Sequence, residues 1–229
     1  MERRTALVTG ASRGLGLALT AALAAQGWHV VVDGRDPDTL EAAISPLRHS
    51  SDGGSVITVV GDISDPEHRA ALVAAGEGPI HLVINNAGGL GPSPLPALDA
   101  VPVDVVTALF AINVAAPLGL IQAALPFLAP GAVIVNVTSD ASVEPNPGWG
   151  VYGTTKAALD HLGAVLAVEH PELRVLAIDP GDMRTVMHQA AFPGEDISDR
   201  PLPEEQVPAI LALIEGSEPS GRYRAARAS

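Results

Sequence analysis

Short apolar runs alternate with longer stretches of helical periodicity along the chain. The runs that predict buried strands are residues 5–9, 29–33, 55–60, 80–85, 132–139 and 174–179. These runs are almost continuously apolar, which is typical of strands in a parallel sheet that is covered on both faces. The stretches that predict helices are 14–26, 36–48, 65–75, 99–112, 114–129 and 152–169. A short final strand is expected within 220–227.

The alternation of strands and helices predicts an α/β fold, a doubly wound parallel sheet with right-handed crossovers. Internal repeats and long linkers are absent from the sequence, so one domain is expected over residues 1–229. Two segments look irregular, 88–98 and 180–203, and the second is expected to form a loop over the sheet. Loops at the carboxyl ends of parallel strands are where such sheets bind ligands.

Composition narrows the classes of function. Lys and Arg number 13 and Asp and Glu 26, giving a formal charge of −13. Such a chain should repel nucleic acid and anionic membranes, so neither is expected as a partner. It contains no cysteine, which excludes disulfides and thiolate metal sites and fits a cytoplasmic enzyme. No uninterrupted apolar run is long enough to predict a membrane span.

A glycine-rich turn joins the first predicted strand to the first helix. The segment TGASRGLG, residues 9–16, places glycines at 10, 14 and 16. Glycine lets the backbone turn sharply and approach a pyrophosphate, and the helix N-terminus offers free N–H groups. Because this turn begins a strand–helix unit, it predicts nucleotide binding rather than a plain connection.

Four polar residues suggest proton-transfer chemistry. Tyr152 and Lys156 lie one turn apart on a predicted helix, on the same face. A tyrosine ordinarily has a pKa near ~10, and a close ammonium stabilises its phenolate. Ser139 ends an apolar strand at the ligand-binding edge of the sheet. Asn113 lies in an apolar helical region, where a buried amide needs a partner.

Together these residues resemble a short-chain dehydrogenase/reductase of the TGxxxGxG type over nearly the whole chain. GDI at 61–63, NNAG at 85–88 and PG at 180–181 match further motifs of that family. The resemblance implies a Rossmann-like fold and hydride transfer between a nicotinamide cofactor and a carbonyl or secondary alcohol. No metal is implied.

The resemblance also implies a role for each polar residue. Tyr152 would be the general acid in reduction and the base in oxidation, and Ser139 would hold the substrate oxygen. Lys156 would bind the nicotinamide ribose and lower the Tyr152 pKa, and Asn113 would hold a water that continues the proton relay. The implied cofactor-binding residues are Gly10, Ser12, Arg13, Gly14, Leu15, Gly16, Arg35, Asp62, Ile63, Asn86, Ala87, Gly88, Tyr152, Lys156, Pro180, Gly181 and Thr185.

The stretch VVVDGRD, residues 30–36, bears on the choice of cofactor. Asp33 lies in the window about 20 residues beyond the glycines where an acid binds a free ribose hydroxyl, which would indicate NAD(H). In the family, however, that acid falls where Gly34 stands, and Arg35 matches the arginine of NADP-preferring members. Arg13 matches a second base of such members. We therefore favour NADP(H), with NAD(H) as the alternative, and expect Asp33 to point toward the neighbouring helix or solvent.

Several expectations concern substrate and assembly. In the loop 181–203, Phe192 and Met187 could line an apolar pocket, whereas Asp182 could not and His188 is expected to face solvent. The loop is expected to be mobile without ligand and to close over substrate. Helices 114–129 and 152–169 are apolar on more than the one face that can pack on the sheet. This predicts a homodimer, and a tetramer is left open. The alternatives are an NAD(H)-linked alcohol dehydrogenase and a catalytically idle nucleotide-binding protein.

Overall fold

A parallel sheet of seven strands lies at the centre of the computed structural model, which describes residues 4–48 and 54–225. The strands are β1 (Thr5–Val8), β2 (His29–Gly34), β3 (Ser55–Val60), β4 (Ile80–Asn85), β5 (Leu128–Val137), β6 (Arg174–Asp179) and β7 (Gly221–Arg224). Their order is β3-β2-β1-β4-β5-β6-β7, and every neighbouring pair is parallel. The direction of winding therefore reverses between β1 and β4, where such sheets open a crevice for ligands.

Helices cover both faces of the sheet, which is why the strands are apolar on both sides. They are α1 (Gly14–Ala25), α2 (Pro37–Ile44), α3 (Pro66–Ala74), α4 (Val103–Phe110), α5 (Ala116–Ala124), α6 (Gly150–Glu169), α7 (Val186–Ala191) and α8 (Pro203–Glu215). One core joins α1, α2 and α8 to the side chains of Ala6, Val8 and Val30. Leu7 and Val31 point the other way, into a core with α3 and α5. The predicted Rossmann-like, doubly wound single domain is confirmed.

The strand predictions hold with one shift that matters for the site. β5 begins at Leu128, where a helix was expected, and ends at Val137 rather than at residue 139. Ser139 therefore lies just beyond the strand, where it caps the short 3-10 turn Asp140–Ser142. β7 confirms the expected final strand and pairs with β6. Residues 226 and 227, the end of the expected range, lie outside the described residues.

The helix predictions differ at their ends for local reasons. The expected helix 36–48 is α2 followed by the 3-10 turn Ser45–Leu47, which contains a proline that cannot continue an α-helix. The expected helix 99–112 begins as the 3-10 turn Leu98–Ala100, and α4 starts only after Pro102. The expected helix 114–129 is a π turn, Ala111–Ala115, then α5 and a 3-10 turn, Leu125–Phe127.

Two helices were not predicted. α7 lies inside the expected loop 180–203, with Thr185 accepting a hydrogen bond from His188 N at its start. α8 follows that loop and contains Pro208, which obscures a helical pattern because an interior proline removes a backbone donor. Its buried face, which includes Val207 and Ile210, packs in the same core as α1. Whether the loop moves stays a prediction.

One helical segment, Val103–Phe127, is long and apolar enough to cross a membrane by length and composition alone. Leu109, Leu120 and Ile121 from this segment are buried in the protein. Of the most apolar window in this segment 33% is buried, so packing on the sheet accounts for part of its composition. That the chain binds no membrane remains a prediction.

Candidate active site

A cavity of about 1460 Å³ opens at the carboxyl ends of the strands, across the β1/β4 crevice. Nearly all residues that the sequence assigned to cofactor binding and catalysis line it. The assigned residues in its wall are Gly10, Ser12, Arg13, Gly14, Leu15, Arg35, Asp62, Ile63, Asn86, Ala87, Gly88, Ser139, Tyr152, Lys156, Pro180, Gly181 and Thr185. Gly16 and Asn113 are not among the lining residues.

The glycine turn requires its glycines for different reasons. Gly10 and Gly14 have φ values of +70° and +58°, a region that side chains disfavour. Gly16 has another role, because a Cβ there would lie 2.4 Å from the Gly10 carbonyl oxygen. Gly16 therefore lets α1 start directly against the turn without facing the cavity. A contact between Gly16 and a cofactor stays a prediction.

The NNAG segment is bonded to the glycine turn. The Thr9 hydroxyl accepts the N–H groups of Asn86 (3.0 Å) and Ala87 (2.9 Å). The Asn86 amide donates to the Thr9 carbonyl at 2.8 Å and lies 3.2 Å from that of Gly10. These bonds hold two loops from adjacent strands as one surface, which pre-organises the floor of the crevice.

At the end of β2, Asp33 and Arg35 of the VVVDGRD stretch have different surroundings, because Asp33 is buried and Arg35 is exposed. Asp33 is buried, and its carboxylate accepts the Gly10 N–H at 2.6 Å and lies 3.2 Å from His68 Nε2 of α3. It thus points toward the neighbouring helix, as expected, and not toward solvent. A Cβ on residue 34 would lie in contact with Ser12, 3.4 Å from its Cβ. Because residue 34 is glycine, this space beside Ser12 is not filled by a side chain. Arg35 and Arg13 are exposed at the rim of the cavity.

The acidic motif after β3 sits across from these arginines. The N–H of Ser64 donates to Asp62 Oδ1 at 2.8 Å, and this bond is the main reason that the Asp62 pKa is lowered. Positive charge from Arg35 and His68 lowers the Asp62 pKa further. Asp62 is therefore an ionised carboxylate that can accept hydrogen bonds from an adenine amino group.

Ser139 and Tyr152 are brought together by the first turn of α6. The 3-10 turn Asp140–Ser142 packs on α6 so closely that a Cβ on Gly153 would lie 2.4 Å from the Ala141 carbonyl oxygen. The Ser139 hydroxyl donates to Asp140 Oδ1 at 2.9 Å and lies close enough to the Tyr152 side chain to affect the Tyr152 pKa. Both oxygens can therefore bind one substrate oxygen in the cavity.

The electrostatics of Tyr152 differ from the expectation. Burial raises the pKa of Tyr152, the bond with Ser139 opposes the rise, and the charges of Asp140 and Asp179 add to it. Burial likewise lowers the pKa of Lys156 to about 8, with Asp160 opposing. Lys156 Nζ donates to the Val137 carbonyl at 2.8 Å and lies 5.6 Å from the Tyr152 ring centre. Burial thus outweighs any lowering of the Tyr152 pKa by this lysine.

Asn113 is buried in the π turn before α5, and its side chain is fully engaged. Its amide donates to the Gly89 carbonyl and to Thr155 Oγ1, both at 2.9 Å, and its oxygen accepts the Gly89 N–H at 2.8 Å. The side chain therefore ties α6 to the loop after β4. That it holds a water stays a proposal.

The aromatic side chains around Tyr152 include one residue without a sequence assignment, Trp149, and one whose expected position is wrong, His188. Trp149, the residue before α6, stacks edge-on to Tyr152 at 5.7 Å and contacts Phe192 at 6.0 Å. His188 lies 4.9 Å from the Phe192 ring, with a side chain only 10% exposed, so the expectation that it faces solvent is wrong. Trp149 precedes Tyr152 by one helical turn, and this spacing was the available signal.

A further residue reaches the site from the last strand. Arg222 of β7 donates from Nη2 to the Ser139 carbonyl at 2.9 Å and lies 3.3 Å from Asp179 Oδ2. Its Nε lies 3.2 Å from Asp160 Oδ2. Arg222 thus connects the carboxylates that act on Tyr152 and Lys156. A sequence pattern that predicted only a short strand could not show this contact.

The chain also matches known proteins. The family model described as short chain dehydrogenase matches residues 4–196. The chain belongs to the short-chain dehydrogenase family. An uncharacterised oxidoreductase of Mycobacterium tuberculosis is 34% identical over 192 residues, covering 81% of this chain and 71% of that protein. Sepiapterin reductase of Xenopus laevis is 34% identical over 200 residues, covering 81% of this chain and 75% of its own length.

Solved structures of the family have the same fold. The structure of a short-chain dehydrogenase from Shigella flexneri, complexed with NADP, superposes with a TM-score of 0.89 at 28% identity. The match covers 98% of both chains. The fold, the nucleotide-binding turn and oxidoreductase function are therefore properties of the family to which this protein belongs.

Proposed function

We propose that the protein transfers a hydride between NADP(H) and a carbonyl or secondary alcohol, with Tyr152 as the general acid or base. The main support for this proposal is that one continuous cavity contains both halves of the site. At one end lies the glycine turn with Arg13 and Arg35, and at the other lie Ser139, Tyr152 and Lys156. The cavity residues fit a nicotinamide dinucleotide. A Cβ at Gly10 would lie 2.9 Å from Ala87 Cα, so glycine lets the turn pack against the NNAG segment. The turn leads into the N-terminus of α1, whose backbone amides can bind a pyrophosphate.

Bound at this site, the nicotinamide cofactor supplies or accepts the hydride. The Ser139 hydroxyl then holds the substrate oxygen, and Tyr152 gives its proton to that oxygen in reduction or takes it in oxidation. Because burial raises the Tyr152 pKa, the phenol is held in the protonated form that acts as an acid. Lys156 is placed to bind a ribose hydroxyl. Its lowered pKa suits it to pass a proton onward.

The extra phosphate of NADP(H) has a suitable environment. Among the described residues, Arg13 and Arg35 form no salt bridge, so both guanidinium groups are free to bind a phosphate. Guanidinium groups match phosphate in charge and geometry. Gly34, where an acid would select NAD(H), carries no side chain. The similar Shigella flexneri structure is complexed with NADP, which supports the same choice here.

One observation favours NAD(H) as the second candidate. Asp33 lies in the cavity wall, and an acid in this region of the fold binds a free ribose hydroxyl. Against this, both Asp33 oxygens already have partners within the protein. The catalytically idle alternative has no supporting observation, because Ser139, Tyr152 and Lys156 line one cavity.

The test is turnover of a reactive diketone or quinone with NADPH and with NADH, in the wild type and in Tyr152→Phe. We expect the wild type to prefer NADPH. The variant should bind NADPH as the wild type does but lose roughly 10²–10⁴-fold in kcat, because it lacks the proton. Near-normal turnover by Tyr152→Phe would refute the acid–base role, and a preference for NADH would refute the choice of cofactor.

A further inference from the structure

A buried contact between a histidine and a carboxylate lies beneath the glycine turn, outside the catalytic group. His68 Nε2 and Asp33 Oδ2 are 3.2 Å apart, and their side chains are 5% and 3% exposed. The other Asp33 oxygen accepts the Gly10 N–H at 2.6 Å. Because an ionised carboxylate can only accept hydrogen bonds, the imidazole donates from Nε2. The pair thus connects α3 directly to the turn that faces the cofactor.

The surrounding backbone is shaped for this histidine. A Cβ on Gly61 would lie 2.2 Å from His68 Nδ1, so only glycine at position 61 leaves room for the ring. Gly61 N in turn donates to the Gly34 carbonyl at 3.1 Å, which fixes the end of β2. The ring is therefore held between the loop after β3 and the Asp33 carboxylate, and a rotation away from Asp33 would meet backbone.

Charges from every neighbouring element face this region. The glycine turn contributes Arg13, the loop after β2 contributes Arg35 and Asp36, and the loop after β3 contributes Asp62. The first turns of α3 carry Asp65, Glu67 and Arg69, and Arg69 donates to the Ile63 carbonyl at 2.7 Å. In this mixed field a free Asp33 carboxylate would repel a 2′-phosphate and attract a ribose hydroxyl. When the Asp33 carboxylate is bonded to His68, it repels a 2′-phosphate less and attracts a ribose hydroxyl less than a free carboxylate would.

We propose that His68 is a specificity-determining residue of the ribose subsite. It holds the Asp33 carboxylate against the glycine turn and so leaves the 2′-phosphate to Arg13 and Arg35. This inference rests on the proposed function, because it assumes that a nicotinamide dinucleotide occupies the cavity. It explains how a chain with an acid at the end of β2 can still bind the more anionic cofactor. His68 acts through Asp33 and is a positioning residue.

The experiment measures the dissociation constants of NADP⁺ and NAD⁺ by titration calorimetry. The proteins are the wild type, His68→Phe, His68→Gln and the double variant Asp33→Asn/His68→Phe. Phenylalanine keeps the ring but cannot donate, so Asp33 is released. We expect the preference for NADP⁺ over NAD⁺ to fall by roughly tenfold, the effect of an uncompensated charge near a phosphate. Glutamine can donate from a similar position and should retain the preference.

The double variant separates charge from shape. An asparagine side chain at position 33 can still accept the Gly10 N–H but carries no charge, so the preference for NADP⁺ should return in Asp33→Asn/His68→Phe. If His68→Phe weakens both cofactors equally, or leaves the ratio unchanged, the role in specificity is refuted. If His68→Phe fails to fold, His68→Val provides the same comparison with a smaller side chain. A wild type that prefers NAD⁺ would instead overturn the proposed function.

Discussion

Arg35 follows the last residue of β2 and is exposed at the rim of the cavity, and the choice of cofactor depends on its guanidinium group. We predict that Arg35→Ala lowers kcat/KM for NADPH by roughly tenfold or more, because a charge-assisted bond to the 2′-phosphate is lost. The value for NADH should change little. Steady-state kinetics with both cofactors checks this.

The matched control for Arg35 is Arg48→Ala. Arg48 is also a surface arginine, but it pairs with Glu41, away from the cavity. Its removal subtracts the same charge from the protein and should leave both kcat/KM values unchanged. An Arg35→Ala enzyme that uses NADPH as well as the wild type would show that another group binds the phosphate.

Lys156 gives a prediction about stability and pH. Its folded pKa is lowered to about 8 by burial, whereas an unfolded lysine titrates near ~10.4. Below pH 8 the folded protein therefore carries a buried ammonium at a cost on the order of 3 kcal/mol. As the pH rises from 8 to about 10.4, the unfolded chain binds more protons, so this cost declines and then disappears.

We predict that Lys156→Met is more stable than the wild type at pH 7 and that the difference narrows toward pH 10. Urea unfolding of both proteins at the two pH values measures it. The other titrating groups are shared and cancel in the difference. A stability difference that does not depend on pH would mean that the folded Lys156 titrates at its ordinary pKa.

The contact between α6 and the turn Asp140–Ser142 sets the distance between Ser139 and Tyr152. We predict that Gly153→Ala lowers kcat by at least about tenfold, because its Cβ would meet the Ala141 carbonyl oxygen at 2.4 Å and push the two elements apart. KM for the cofactor should change less, because the glycine turn is distant from this contact.

Thr154→Ala is the control for Gly153→Ala. Thr154 is exposed on the same turn of α6, and within the described part of the chain its hydroxyl bonds the Gly150 carbonyl alone, at 2.6 Å. An equal loss of kcat in both variants would point to a general weakening of α6. A Gly153→Ala enzyme with normal kcat would show that the two elements can separate without cost to catalysis.

The elements differ in how well the sequence predicts them. All strands except β5 and β7 are predicted to within one residue, because burial produces apolar runs with sharp ends. The predicted boundary between helices 99–112 and 114–129 falls inside the π turn Ala111–Ala115, because apolar residues continue through that turn. α8 was missed because Pro208 hides a face that tertiary packing stabilises. Its core contacts with α1 come from distant parts of the chain.

The residues of the candidate site also differ in how well the sequence predicts them. Residues of the glycine turn and the Tyr–Lys pair carry local patterns, so their number and spacing predict their location. The contacts of His68 and Arg222 join residues far apart in sequence, and a histidine or arginine alone carries no such pattern. His188 shows the converse error, because α7 buries a side chain that a loop would have exposed.

On the scale of the molecule, several of the exposed apolar side chains belong to α6 and to the end of the segment that contains α5. Val165 and Val168 of α6 are 42% and 81% exposed, and Phe127, just after α5, is 55% exposed. Ile121 of α5 and Leu166 of α6 share one core, so the two helices lie on the same face of the sheet. This outer layer is where the predicted homodimer would bury surface, since exposed apolar patches mark interfaces.

We predict that the protein is at least a dimer at micromolar concentration and that Val168→Asp or Phe127→Asp yields a monomer. A carboxylate buried at an apolar contact lacks a partner and costs several kcal/mol. Val60→Asp is the control, because Val60 is 49% exposed at the end of edge strand β3, away from α5 and α6. Sedimentation measures the mass of each protein.

Because each chain carries a charge of −13, two copies repel, and salt should strengthen the dimer. A wild-type monomer at high salt would contradict the prediction, and so would a dimer that Val60→Asp breaks while Val168→Asp leaves it intact.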